Sequence, residues 1–518
     1  MCIRMTFLAL FLMVSSCGQQ SPNTLVFGRG GDSVGLDPAL ETDGESFKIC
    51  DNLYETLITF EPGSTELAPG LATSWTASQD GLTWTFRLRT GVLFHDGTPF
   101  NAESVIFSLA RQFKPDHPFN KVEGAYQYWI SMSMSDIVKD VRAIDDFTVA
   151  IDLKRPNAPF LSNLAMGFCG MVSPDAVRKW AGDFARHPVG TGPFRFVQWI
   201  KDDRIVLERF PEYWGGPTKL DRLIFRSIPE NSVRMIALTQ GSIDGMDNLV
   251  PDFIPGIESN DQLQLLTQPG MNVGYLAMNM DKPIFQNVAV RRAINHAINK
   301  KSLVDNLYQA LALSAVNPIP PTMWGYNHQI AGYDYNPEKA RQLLSQAGFP
   351  NGFKTTLWAM PVPRPYMPQP MKIAQAIQAD LKKVGIEAEI VTYEWGTYLD
   401  KVQRGQHDMA LLGWTGDNGD PDNFLYVLLD KSATQIPANN IAFYRSEPLH
   451  QVLIEAQQST DQAQRANLYM RAQEIVFEDA PWVPLVHAAQ TAAFNRSVRG
   501  FQLHPTGSKW FQKVEIVK

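Results

Sequence analysis

The sequence predicts a two-lobed α/β protein, and three observations predict it. The first half is rich in strand patterns, helix and strand patterns alternate from about Asn272, and short strand and turn return from roughly Thr491. A chain that changes character and changes back crosses between two lobes twice, here near Pro269–Asn272 and near Val486–Thr491. The division is lobe I over 24–271 with an inserted strand-rich subdomain, lobe II over 272–490, and a return to lobe I over 491–518. With 518 residues the chain can support two or three cores.

At the start, Arg4 precedes an apolar run from Met5 to Val14, then Ser15-Ser16-Cys17. A short charged head, an apolar segment too short to span as a helix, and small residues before a cysteine make an export signal over 1–16. The pattern resembles the lipobox of bacterial lipoproteins, in which the cysteine becomes the lipid-bearing amino terminus. That role falls on Cys17, with a polar tether over 17–23. Of the remaining cysteines, Cys50 and Cys169 have apolar neighbours and are expected to be buried thiols.

Further along, Leu82–Leu88 alternates as a half-buried strand, Gly91–Gly97 is a turn-rich link, and Asn101 caps the helix that follows. Phe147–Leu153 and Arg204–Arg209 are further strands. Asn336-Pro337 opens a helix whose Leu343 and Leu344 face the core and which Gly348 ends. Ile373, Ile377, Leu381 and Val384 fall at helical spacing, Gly385 closes that helix, and Ile386–Ile390 alternates as a strand.

The chain's net charge is −7 with no long run of either sign, which argues against nucleic acid as a partner. There is no His-Glu-x-x-His, and the nine histidines are scattered. The most informative stretch is Gly413-Trp-Thr-Gly-Asp-Asn-Gly-Asp-Pro-Asp-Asn-Phe424, which follows the buried strand Met409–Leu412. Glycines let backbone approach a ligand, and three carboxylates crowd the turn. Backbone hydrogen bonds beside a negative charge suit an extended amide with a cationic end, such as a peptide amino terminus. The EF-hand pattern fails, because Gly419 and Pro421 occupy the third and fifth positions counted from Asp417.

Pro69–Ala72, Trp84–Gly91, His95–Glu103, Pro188–Phe194 and Val288–Ile298 together resemble the large extracellular solute-binding family that serves ABC importers of peptides and nickel. Ile319–Asn327, Leu357–Tyr366, Ile390–Tyr398 and the Gly413–Phe424 loop are similar to its dipeptide-binding branch. The resemblance implies the two-lobed periplasmic-binding-protein fold of the large peptide-binding type, hinged and closing over a ligand. It implies that Asp417 holds a ligand's α-ammonium and Arg364 its α-carboxylate. Buried charges need partners, and a guanidinium fork suits a carboxylate. Trp414, Thr415 and Gly416 are expected to offer backbone groups in the manner of strand addition. Tyr126, Tyr366 and Trp395 are expected to wall the pocket, and Thr42 and Gly44 to line it from the other lobe. Asp420 and Asp422 are expected to cap the following helix or turn.

The implied partners are dipeptides or short peptides, the permease of an ABC importer, and a membrane through Cys17. No cofactor or metal is expected, and the protein is expected to be a monomer. The same scaffold binding glutathione, haem or a cell-wall peptide is the alternative, with an exported hydrolase more distant. The chain departs from the branch in one respect: Val26–Gly31 and Leu428–Ala433 lack the cysteine pairs of relatives. Packing must therefore hold the Leu429–Asn440 loop, whose shape is expected to differ.

Overall fold

A computed structural model describes residues 23–120 and 126–517. The expected signal segment and Cys17 lie outside the described residues.

Two large sheets organise the molecule. The first has seven strands. At its centre lies β1 (Thr24–Arg29), fully buried and parallel to both Arg222–Ser227 and β2 (Gly245–Asp247). Helix α1 (Gly44–Leu53) follows β1. The Asp43 side chain accepts the Ser46 N–H, which satisfies a free donor of the first turn. Phe27, Phe225, Phe494 and Phe511 pack ring against ring in this core, with centroids 5.4 to 6.1 Å apart.

The second sheet has six strands. Its middle holds β3 (Asn272–Met278), fully buried, with β4 (Phe353–Trp358) two places away and β5 (Met409–Thr415) between them. Strand β5 pairs antiparallel with β3 along its whole length but with β4 only at Met409 and Ala410. Helix α2 (Asp422–Leu429) follows the Gly/Asp loop, and α3 (Gln462–Asp479) packs nearby. A separate four-stranded sheet is built from Ala72–Ala77, Thr83–Leu88, Thr148–Leu153 and Val138–Asp145. The chain passes from the first large sheet to the second between Gln268 and Asn272, and returns between Ala488 and Gln490.

Local expectations hold with small shifts. Asn101 and Ser104 form a capping box. Asn336 caps the helix Pro337–Gln346, where Leu344 is buried and Leu343 half-buried. Ile373, Ile377, Leu381 and Val384 are all buried. Cys50 and Cys169 are buried free thiols. The strand read as Met409–Leu412 runs three residues further, because Gly413, Trp414 and Thr415 continue the pairing with β3.

Candidate functional site

Between the two large sheets lies a cavity of about 570 Å³. Its first wall is the cavity-facing side of α1, with Thr42, Gly44, Glu45, Lys48 and Asp51, joined by Asp247 at the end of β2 and by Thr506–Lys509. This wall is charged, with Lys48 and Lys509 set among Asp43, Glu45, Asp51 and Asp247. The Lys48 ammonium lies 2.8 Å from Glu45 and 2.9 Å from Asp247, and Lys509 lies 3.5 Å from Asp247. Burial pushes the Asp51 carboxyl up to about 6.

The second wall is the open edge of β5. Past Ala410 no strand among the described residues covers that edge. The Gly416 N–H donates to the Met271 carbonyl at 2.7 Å. Antiparallel pairs alternate between hydrogen-bonded and non-bonded, so this register turns the backbone groups of Gly413 and Thr415 towards the open edge. Tyr366 lies on the face of the sheet over the paired Gly413 and Gly274. A Cβ at Gly413 would sit 2.3 Å from its ring, and one at Gly274, the residue paired with Gly413, would sit 2.7 Å from its carbonyl. Both positions therefore need glycine for Tyr366 to approach. The Tyr308 hydroxyl fixes the Tyr366 carbonyl at 2.9 Å.

Asp417 and Arg364 both line the cavity. The Asp417 carboxylate accepts from the Tyr128 hydroxyl at 2.9 Å and from the Asn423 amide at 3.3 Å. Its own N–H donates to the Asn423 side chain at 3.0 Å, which fixes the turn. Among the described residues it has no cationic partner, and burial pushes its carboxyl up to about 6. Arg364 sits half-buried with its guanidinium over the Trp395 ring at 4.7 Å and donating to the Pro363 carbonyl at 3.1 Å. Among the described residues it has no carboxylate partner. Asp417 and Arg364 thus face the cavity without an ion-pair partner among the described residues, as do Asp43 and Asp51 on the α1 wall.

The other two carboxylates of the loop are occupied elsewhere. Asp420 pairs with Arg465 of α3 at 2.8 Å and accepts the Asp422 N–H at 3.0 Å. Asp422 receives the Gln457 amide at 3.1 and 3.2 Å. Neither lines the cavity.

Of the predicted residues, Thr42, Gly44, Arg364, Tyr366, Trp395, Trp414, Thr415 and Asp417 meet at this cavity. Two do not. Tyr126 is buried away from it, with its hydroxyl on the Phe119 carbonyl at 2.6 Å. Gly416 spends its N–H on Met271 and packs against Phe424. Tyr128 was missed: it lines the cavity, stacks on Phe168 with centroids 5.7 Å apart, and reaches Asp417. Tyr126 stands just before the short helix Gln127–Ser131, with a left-handed φ of 64°, and Tyr128 lies within that helix. Nothing in the sequence says which one faces in.

The family described as "Bacterial extracellular solute-binding proteins, family 5 Middle" matches residues 66–435. A dipeptide-binding protein of Escherichia coli (strain K12) is 39% identical over 98% of this chain and 97% of its own. A heme-binding protein A of Haemophilus influenzae is also 39% identical, over 99% and 98%. Among solved structures, the ABC transporter-associated periplasmic binding protein DppA from Helicobacter pylori, in complex with the peptide STSA, superposes with TM-score 0.88 at 41% identity, covering 96% of this chain and 98% of that one. The dipeptide-binding protein from a Pseudoalteromonas species, in complex with Met-Leu, gives TM-score 0.89 at 30% identity over 95% and 100%. In sequence and in fold, the chain belongs to the bacterial extracellular solute-binding proteins, family 5.

Proposed function

We propose that the protein captures dipeptides or short peptides as the binding component of an ABC importer. One observation carries this: a single cavity presents an unpaired carboxylate, Asp417, and an unpaired guanidinium, Arg364, beside an open strand edge. A zwitterionic peptide supplies what each lacks, an ammonium for Asp417, a carboxylate for Arg364, and amide groups for the edge. The relatives named above, two of them solved with peptides, support the reading.

The mechanism follows from the two walls. The carboxylate sits on the β5 side, and its hydroxyl partner Tyr128 comes from a segment sequential with the first half of the chain. A ligand held between the walls favours the closed arrangement by its differential affinity. The closed form is then what the permease receives. Export and anchorage through Cys17, and a monomeric state, belong to the same proposal. Among the described residues no helix is long and apolar enough to cross a membrane.

Calorimetric titration with alanyl-alanine, its N-acetylated form and its carboxyl-amidated form tests the reading. The free dipeptide should bind, and each blocked form should lose about 2–5 kcal/mol, because each leaves one buried charge unpaired. Equal affinity for all three would sink it. Haemin and glutathione, titrated in parallel, test the alternatives; the cavity lining carries three tyrosines and, among the described residues, no histidine or cysteine.

A further inference from the structure

The first turn of α2 brings a buried amide, Asn423, against the back of the Gly/Asp loop. Its Oδ1 accepts two hydrogen bonds, from the Trp414 indole N–H at 3.0 Å and from the Asp417 backbone N–H at 3.0 Å. Its Nδ2 faces the Asp417 carboxylate at 3.3 Å and the Met132 sulfur at 3.5 Å. The amide can be seated only this way round. An indole N–H and a backbone N–H only donate, whereas an ionised carboxylate and a thioether only accept. Turned over, its NH2 would meet two donors and its oxygen two acceptors. Asn423 itself does not line the cavity, but Trp414 and Asp417 both do. The Asp417 carboxylate thus has a donor on each oxygen, Tyr128 on Oδ1 and Asn423 on Oδ2. A carboxylate offers about four acceptor sites, so about two stay free for an ammonium.

We propose that Asn423 is the positioning residue of the ammonium site: without touching ligand, it fixes the orientation of the Asp417 carboxylate and holds the Trp414 ring beside it. This deepens the peptide reading above and rests on it. A carboxylate on a glycine-rich turn rotates about its side-chain torsions, and its hydrogen bond to an ammonium depends on where its lone pairs point. One rigid amide ties Asp417 at both its backbone N–H and a carboxylate oxygen, which removes that freedom before a ligand arrives. Arg364 is held by other contacts, on the Trp395 ring, so the two ends of a ligand are positioned independently. The Asn423 donor also favours the ionised carboxylate against the burial that opposes it. Tyr128 is the titratable group in contact with Asp417. Asp420 and Asp422 of the same turn engage Arg465 and Gln457, and Asp43 of the α1 wall acts on Tyr128.

Two variants of the whole mature protein test this, with alanyl-alanine and its N-acetylated and carboxyl-amidated forms as calorimetric probes. Asn423→Ala frees Asp417. The preference for alanyl-alanine over its N-acetylated form should shrink at least about tenfold, the loss of a hydrogen bond to a charged group. The preference over the amidated form, which reads Arg364, should hold. Asn423→Asp keeps the shape but sets a second carboxylate oxygen where the amide donor stood, 3.3 Å from Asp417. The two carboxyls then share a proton, so the acid limb of alanyl-alanine binding should move up by at least about one pH unit. A purely structural role would weaken all three ligands alike, and that pattern overturns the proposal, as does an unshifted acid limb in Asn423→Asp. Should one variant fail to fold, the other decides; failure of both assigns Asn423 to the fold and overturns the positioning role. If the native protein binds no dipeptide at all, the peptide reading falls and this inference falls with it.

Discussion

Asp417 is an aspartate that the fold makes costly to ionise, since burial pushes its carboxyl up to about 6. An ammonium ligand favours the ionised form, so protonation competes with binding. Peptide affinity should be full above about pH 7 and fall by up to about tenfold per unit below about 6. Asp51 titrates in the same range on the opposite wall. Asp417→Asn separates the two: it should bind at least about thirtyfold more weakly at pH 7 and lose most of the acid limb, read by calorimetry across pH 5 to 8. Asp422 carries the opposite message. Burial pushes its carboxyl up to about 7, whereas an unfolded aspartate titrates near about 4. The folded state therefore binds this proton more tightly, and ionised Asp422 costs stability that grows between those two values and is constant above them. Asp422→Asn should raise the melting temperature more at pH 8 than at pH 5. The sequence offered three carboxylates in one turn. Singling out Asp417 came from resemblance, and its physical reason is tertiary: it alone of the three lines the cavity, while Asp420 pairs with Arg465 and Asp422 accepts from Gln457.

The elements around the loop explain why glycine recurs in it. At Gly413 a side chain would enter the Tyr366 ring, so Gly413→Val should weaken peptide binding and cost about 1–3 kcal/mol of stability, measured by denaturant melting. The α2 and α3 helices are clamped through the Asp420–Arg465 pair, both members buried. Arg465→Leu would leave Asp420 buried without its cation and should cost about 3–5 kcal/mol, seen as a large fall in melting temperature. Caps and helix spacings near Asn101, Asn336 and Ile373–Val384 were legible because each is set by neighbours a few residues away. The extent of β5 was not. Its last three residues look like a glycine turn, and pairing with β3, far away in sequence, makes them strand. The Leu429–Asn440 loop was expected to depend on packing, and it is closed by the buried Asp430 and Asn440 with His450 at 2.8 Å from Asp430.

For the molecule as a whole, closure is the behaviour that joins the two walls. The small-angle scattering radius should shrink on adding saturating alanyl-alanine, and an unchanged radius would count against closure as the mechanism. Sequence by itself determined the alternation of strand-rich and helix–strand regions, the places where the chain changes sheet, and a negatively charged glycine loop after a buried strand. These follow from local periodicity and turn chemistry. Tertiary structure alone decided that Tyr128 rather than Tyr126 faces the cavity, and that Gly416 turns away from it. It also decided that Arg364 rests on Trp395. Each of these depends on contacts between segments tens to hundreds of residues apart, and local sequence carries no record of which partner a side chain will meet.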